Sequence, residues 1–154
     1  MRPPMTARFL CLLLLAMSVM GTVHAEGAPV CVQRNGVELC AQDKGFIQSV
    51  HIFGRSSSLA MEGLYFQLVT IQVRNQTTRS LSISPENFQG ETEAGRRYAV
   101  DKSLQRSMSW PRKLREATLH PGDSLEGDLF FPVFFSPVRR IVHNSHPYME
   151  TFLY

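Results

Sequence analysis

Two histidines near the end of the chain are the first candidates for chemistry. His143 and His146 lie three residues apart, and imidazole is the commonest metal ligand in proteins. A zinc site takes at least three protein ligands, so a third donor, with His120 or Asp123 as candidates, would have to come near. The alternative interpretation is that both are solvent-exposed loop histidines. Metal binding is therefore a secondary hypothesis, and we expect no resident cofactor.

A basic segment between Asp101 and Glu116 is the leading candidate for a binding surface. It contains five cations with no acid between them and also Trp110, the only tryptophan of the chain. A cationic loop around an aromatic side chain suits an anionic partner, such as an acidic protein patch or an anionic envelope component. The competing interpretation is a solvated crossover in which Trp110, Leu104 and Met108 close one end of the domain. The five cations are Lys102, Arg106, Arg112, Lys113 and Arg115.

Catalytic patterns are not evident in the sequence. It contains no G-x-S-x-G motif and no recognisable spacing of an acid, a histidine and a serine. Acidic residues are as plentiful as in other domains of this size, and two carboxylates could still face each other across a cleft. We expect no catalytic residues and a protein that is not an enzyme.

Two cysteines flank a predicted hairpin. Asn35-Gly36 is a strong signal for a two-residue type I′ turn, since both residues tolerate a positive φ. That turn sets the register of its strands, and the register places Cys31 opposite Cys40 in a non-hydrogen-bonded pair. Such pairs bring the two Cα atoms to roughly 4.5 Å, within reach of a disulfide. The sequence therefore predicts a Cys31–Cys40 disulfide on the outer face, with the neighbouring apolar residues toward the core.

The segment 1–25 is typical of an export signal. It combines two arginines, an apolar run from Phe9 to Gly21, and an ending of Val23-His24-Ala25 that suits signal peptidase. Cleavage after Ala25 would leave the segment 26–154 with fourteen basic and thirteen acidic side chains, a net charge of +1. This balance argues against a nucleic-acid partner. We predict a periplasmic or secreted protein with no transmembrane segment after cleavage.

The remaining sequence alternates between apolar and polar residues in short runs separated by turn residues, a pattern of β-sandwiches and barrels. Gly54–Ser58 is predicted to be a loop, and Asp101–Glu116 a crossover, with or without a short helix, between two sheets. The domain boundaries that we predict are 26–62 for the hairpin and first sandwich strand and 63–154 for the sandwich core, with 26–154 forming one domain. The predicted strands are 46–53, 64–74, 81–83, 87–92, 97–100, 118–119, 124–133, 138–143 and 149–153.

From Gly63 onward the sequence resembles a bacterial family of exported immunoglobulin-like domains of unknown function. Its elements are a glycine, a long alternating strand ending in asparagine, a proline and a phenylalanine, a Gly-x-x-Tyr hairpin, and a Leu-x-Pro-Gly turn leading to Gly-x-Leu-x-Phe. Here these are Gly63, Asn75, Pro85, Phe88, Gly95–Tyr98, Leu119–Gly122 and Gly127–Phe131. The resemblance implies an immunoglobulin-like β-sandwich in a secreted or lipid-anchored accessory protein, and it implies no catalytic residues.

Phenylalanines near the end of the 124–133 strand offer a second candidate surface. If Leu129 and Phe131 point inward, Phe130 points outward, where it would mark an interface with Phe134 and Phe135 or would pack under the crossover. The sequence thus favours an exported, non-enzymatic immunoglobulin-like binding module whose partner is a protein or an anionic envelope component. The alternatives are a metal-binding protein that uses His143 and His146, and an inhibitor of an extracellular hydrolase.

Overall fold

The structure is a computed structural model that describes residues 27–47, 49–52, 55–58, 64–107 and 110–153. The predicted export signal, Gly63 and Met108 lie outside these residues. The described strands are β1 Val30–Arg34, β2 Val37–Ile47, β3 Ser49–Ile52, β4 Arg55–Ser58, β5 Leu64–Asn75, β6 Leu81–Ile83, β7 Phe88–Thr92, β8 Arg97–Ala99, β9 Ala117–Leu119, β10 Ser124–Phe134, β11 Val138–His143 and β12 Met149–Phe152.

Two four-stranded antiparallel sheets form the body of the molecule. The first sheet has the strand order β1-β2-β5-β10, and the second has the order β12-β11-β7-β8. Alternate residues of each strand face a shared core, because successive side chains of a β-strand point to opposite faces. The predicted immunoglobulin-like β-sandwich is confirmed. Its core includes Leu39, Val69, Ile71, Leu129 and Phe131 from the first sheet and Phe88, Val138, Ile141 and Met149 from the second.

The amino-terminal hairpin forms as predicted. Its register pairs Cys31 with Cys40 and Arg34 with Val37, and a disulfide joins the two cysteines with their Cα atoms 4.0 Å apart. Asn35 and Gly36 both have positive φ values, 52° and 76°, as the tight turn requires. The turn residues thus place both cysteines opposite each other, which confirms the predicted bridge.

The region after the hairpin differs from the prediction. Phe46 and Ile47 belong to β2 and pair with β5, whereas Ser49–Ile52 form β3 and pair with β4. The described residues of the predicted 46–53 strand thus belong to two strands. Residues 55–58 form β4, paired with β3, so the loop prediction is wrong for these residues; Gly54 lies outside the described ones. Serine-rich composition favours turns, but strand formation depends on context, and here β3 supplies the pairing.

The crossover prediction is confirmed in outline. The crossover contains a short α-helix, α1, which spans Lys102–Ser107. Outside the crossover, a 3-10 turn at Pro85–Asn87 precedes β7. Within the residues that the structure describes, no helix is both long enough and apolar enough to span a lipid bilayer.

Candidate functional site

The crossover runs along the edge of the first sheet that β10 forms. The backbone N–H of Leu114 donates to the carbonyl of Asp128 at 2.9 Å, and the N–H of Asp128 donates to the carbonyl of Arg112 at 2.7 Å. Lys113 and Asp128 form a parallel bridge. β10 carries Pro132, which the sequence places on an edge strand because proline has no N–H to donate. The crossover therefore covers part of the edge that β10 would otherwise expose.

Gly127 allows this close approach. A Cβ atom at Gly127 would lie 2.5 Å from the Cα of Leu114 and 2.6 Å from its backbone nitrogen. Real Cβ atoms do not come this close to backbone, so any side chain here would push the crossover away. Glycine within a strand is typical of such a backbone contact, and the sequence motif around Gly127 is explained by it.

Asp128 fastens the crossover to the sheet. Its side chain is buried, with 3% exposure, and its Oδ1 accepts a hydrogen bond from the Thr70 hydroxyl at 2.6 Å. Its Oδ2 accepts one from the indole Nε1 of Trp110 at 2.7 Å. Buried carboxylates need such donors to offset the loss of water. Sequence analysis missed Asp128, although an acid within the apolar run of β10 was a usable signal.

Trp110 packs on the outer face of the first sheet. Its ring meets Phe130 edge-on with the centroids 5.6 Å apart, in a small second cluster with Phe66 and Leu68. Phe130 points away from the main core as predicted but is fully buried under this cluster. The exposed row through Phe130 is therefore absent, and the alternative of packing under the crossover is correct. Trp110 covers the face of the sheet and not an end of the sandwich.

A cavity of about 510 Å³ lies between the crossover and the segment that precedes β7. Four of the five predicted cations line it, together with two carboxylates, which gives the lining a net positive charge of two. Arg112 lies outside the lining and pairs with Glu126 at 2.7 Å. We call this space the crossover cavity; its lining is Ser84, Pro85, Glu86, Val100, Lys102, Gln105, Arg106, Lys113, Leu114, Arg115 and Glu116.

Glu86 organises two cations of the crossover cavity. Its carboxylate contacts Lys102 at 2.9 Å and Arg106 at 2.7 Å, and the hydrogen bond from Lys102 is the main reason that the pKa of Glu86 lies below its ordinary value. The Lys102 and Arg106 side chains are 60% and 76% exposed. Such exposed ion pairs contribute little to stability.

Two further residues of the lining differ in their exposure to solvent. Gln105 is buried and donates from Nε2 to the carbonyls of Leu114 at 3.1 Å and Asp128 at 2.8 Å. Its Oε1 has no hydrogen-bond partner among the described residues. Arg115 at the mouth is exposed. Sequence analysis identified Arg115 but missed Gln105, because an amide in a polar helix gives no signal of its own.

The two histidines are not assembled into a metal site. His143 is buried at the end of β11, and its Nδ1 lies 3.1 Å from the carbonyl of Pro147. Its Nε2 lies 3.0 Å from the Ser145 hydroxyl, so both ring nitrogens are engaged. His146 is exposed, and no three His, Cys, Asp or Glu side chains of the described segments group as metal ligands. The expectation that His143 is solvent-exposed was wrong.

The buried His143 should make stability depend on pH. Burial lowers the pKa of His143 below its ordinary 6.5, and the hydrogen bond to Pro147 opposes this only in part. The unfolded chain then binds the proton more readily, so stability is complete above the ordinary pKa and falls as the pH drops through it. We expect the free energy of unfolding in urea to be lower at pH 5.5 than at pH 7.5. In His143→Gln this difference should shrink; an unchanged difference would show that other groups cause it.

The most enclosed ion-pair network has a structural role. Glu91 on β7 accepts a hydrogen bond from Arg97 at 2.9 Å and another from Arg140, and Arg140 also contacts Glu150 at 3.1 Å. The hydrogen bond from Arg140, followed by that from Arg97, keeps the pKa of Glu91 below its ordinary value. A carboxylate held ionised between two guanidinium groups is unsuited to donate a proton. This network links strands of the second sheet.

The fold and the covered edge define the class of the molecule, an immunoglobulin-like β-sandwich with a crossover packed on one sheet. The chain belongs to the family described as "Domain of unknown function (DUF4352)", which matches residues 41–134. The match begins well before Gly63, where the sequence motifs start, and so takes in most of β2. No curated protein sequence matches this chain.

Solved structures with the same fold come from several bacteria. A secreted protein of Mycobacterium tuberculosis, MPT63, is 19% identical with a TM-score of 0.51, covering 82% of this chain and 89% of its own. A conserved hypothetical protein of Bacillus anthracis is 10% identical with a TM-score of 0.53, covering 81% and 94%. The Bacillus subtilis protein ycdA, assigned as a lipoprotein, is 12% identical with a TM-score of 0.55. The match covers 80% of this chain but only 38% of ycdA. At these identities the likeness shows the fold alone.

Proposed function

We propose that this protein is an exported, non-enzymatic binding module that captures an anionic group of a protein or cell-envelope component in the crossover cavity. The observation that carries the proposal is the lining of that cavity. It brings Lys102, Arg106, Lys113 and Arg115 together around a space of about 510 Å³. Two carboxylates also line the space, but its net charge is positive, and a concave site with an excess of one charge attracts ligands of the opposite sign.

Two features support a location outside the cytoplasm, in the periplasm or the medium. The segment 1–25 has the pattern of a cleaved export signal. The Cys31–Cys40 disulfide is of the kind that persists in oxidising compartments and is rare in the cytosol. Proteins of similar fold include a secreted protein and one assigned as a lipoprotein, which agrees with this location.

The chemistry of the cavity supports binding over catalysis. The described residues that line it include no histidine and no cysteine, and their one hydroxyl side chain is Ser84. A hydroxyl nucleophile needs an adjacent general base. Glu86, the nearer acid in sequence, is instead paired with Lys102 and Arg106. Electrostatic attraction is therefore the function that the lining serves best.

Charge reversal in the cavity provides the test. In Arg106→Glu/Arg115→Glu, we expect the affinity for a fluorescent polyphosphate chain to fall at least about tenfold, because attraction becomes repulsion at the site. The measurement is fluorescence anisotropy of the mature protein at two salt concentrations. Both side chains are exposed, so the fold should be retained.

A matched control distinguishes the effect of the cavity on binding from the effect of overall charge. Arg34→Glu/Arg96→Glu makes the same change in net charge at two exposed residues outside the crossover cavity. We expect this variant to bind polyphosphate within about twofold of the parent, since distant charges are screened by salt. Equal losses in both double variants would mean that net charge alone attracts the probe, and the proposal would fail.

A further inference from the structure

A second cavity lies among the β1–β2 turn, the segment from β5 into β6, and the loop between β11 and β12. It encloses about 580 Å³ and is lined mainly by hydroxyl and amide side chains, with an arginine and a histidine. Apolar residues complete it. We call it the hydroxyl cleft; its lining is Asn35, Val37, Thr77, Thr78, Arg79, Ser80, Leu81, Ser82, Asn87, Ser145, His146 and Pro147.

One wall of the hydroxyl cleft is held rigid by Asn75. This side chain is fully buried, and its Nδ2 donates to the carbonyls of Arg79 at 2.7 Å and Leu119 at 3.0 Å. Its Oδ1 accepts from the backbone N–H of Thr77 at 3.0 Å and from the Thr77 hydroxyl at 2.7 Å. The loop that carries Arg79 is therefore fixed before any ligand arrives, which reduces the entropy lost on binding.

The opposite wall is held by His143. Its two ring nitrogens engage the Pro147 carbonyl and the Ser145 hydroxyl. The backbone N–H of Asn144 donates to the carbonyl of Asn87 at 2.8 Å, which ties this loop to the start of β7. Both walls thus depend on buried polar side chains whose hydrogen bonds are satisfied, as a preformed site requires.

The charges of the hydroxyl cleft differ from those of the crossover cavity. No carboxylate stands among the described residues that line it. Arg79 is exposed, and its guanidinium makes no ion pair or hydrogen bond with any residue of the described segments. An arginine side chain presents a planar fork of donors that matches a carboxylate in two parallel hydrogen bonds. The cleft therefore has an open position for one such anionic group.

We propose that the hydroxyl cleft binds an acidic saccharide, that is, a sugar that bears a carboxylate. Sugar hydroxyls both donate and accept hydrogen bonds, as do the Thr78, Ser82 and Asn87 side chains of the lining. The apolar side chains of the lining suit the C–H face of a sugar ring. Arg79 takes the carboxylate. A neutral sugar would leave Arg79 without an anionic partner. A simple carboxylate would leave the hydroxyl groups of the cleft hydrogen-bonded only to water.

The test compares three small probes by NMR titration of the isotopically labelled mature protein. D-glucuronate offers both hydroxyls and a carboxylate, D-glucose only hydroxyls, and acetate only a carboxylate. We expect D-glucuronate to shift the amide signals of Thr78, Arg79, Ser82 and His146, and to bind at least about tenfold tighter than either other probe. In Arg79→Gln this preference over D-glucose should disappear.

Arg96→Gln is the matched control, because it removes an exposed arginine that lies outside both cavities. It should bind D-glucuronate as the parent does. Equal binding of D-glucose and D-glucuronate by the parent, or unchanged affinity in Arg79→Gln, would overturn the assignment. So would shifts confined to the crossover cavity. The polyphosphate test of the crossover cavity is independent, since its variants leave Arg79 in place.

Discussion

Replacing Gly127 with alanine should lower the free energy of unfolding by about 2 to 3 kcal/mol, the upper part of the range for overpacking a filled site. The added Cβ would lie 2.5 Å from the Cα of Leu114, which is backbone and cannot rotate away. The crossover would have to move off β10. That movement would strain the backbone hydrogen bonds that Asp128 makes with Leu114 and Arg112.

The measurement is urea unfolding followed by circular dichroism, with the native fluorescence of Trp110 as a local readout. Trp110 is the only tryptophan, and its contact with Phe130 and Asp128 reports whether the crossover stays in place. We expect red-shifted emission from native Gly127→Ala. Gly27→Ala is the control, because its added Cβ meets only the carbonyl oxygen of Leu153 at 3.8 Å, an ordinary contact. Parent-like stability and emission in Gly127→Ala would contradict the close approach.

Removal of the disulfide should have a comparable energetic effect by a different mechanism. We expect the free energy of unfolding of Cys31→Ser/Cys40→Ala to be about 2 to 3 kcal/mol lower than that of the parent. This is the stabilisation expected of a disulfide that closes a loop this short. Alanine replaces Cys40 because that residue is buried. The loss arises chiefly from greater freedom of the unfolded chain, so the native Trp110 emission should stay unchanged.

The control for this experiment is the parent protein treated with a reductant. If the bridge accounts for the difference, the reduced parent should have the same urea midpoint as the double variant, and the variant should not respond to the reductant. A midpoint that is the same with and without the bridge would show that the hairpin gains nothing from it. Loss of the disulfide should act on the unfolded chain and leave the Trp110 emission unchanged. Gly127→Ala should act on the packed crossover and shift that emission.

Much of the strand pattern could be predicted from the sequence. The alternation of Val69, Ile71 and Val73 with polar residues predicted the long strand β5, and all three of these residues are buried. The pairing of β3 with β4 was harder to predict, because residues 55–58 have a composition typical of loops. Their pairing with β3 comes from backbone hydrogen bonds, which side-chain composition represents poorly.

The candidate site was predictable only in part. The sequence identified the cluster of cations but not the acids that pair with them. Glu86 lies 16 and 20 residues before Lys102 and Arg106, and Glu126 lies 14 residues after Arg112. Separations of this size carry no periodic signal. The cations thus looked unpaired in the sequence, whereas in the structure Lys102, Arg106 and Arg112 contact carboxylates.

The sequence by itself determined the disulfide-tied hairpin, the order of most strands and the family. These features are local, because a two-residue turn sets the register of the strands on either side and so places Cys31 opposite Cys40. Only the tertiary structure decided that Leu114 crosses Gly127, that Asp128 holds Trp110, and that Arg79 borders a cleft with His146. Those contacts join residues too far apart in the chain for a local pattern to specify them, so they depend on the tertiary fold.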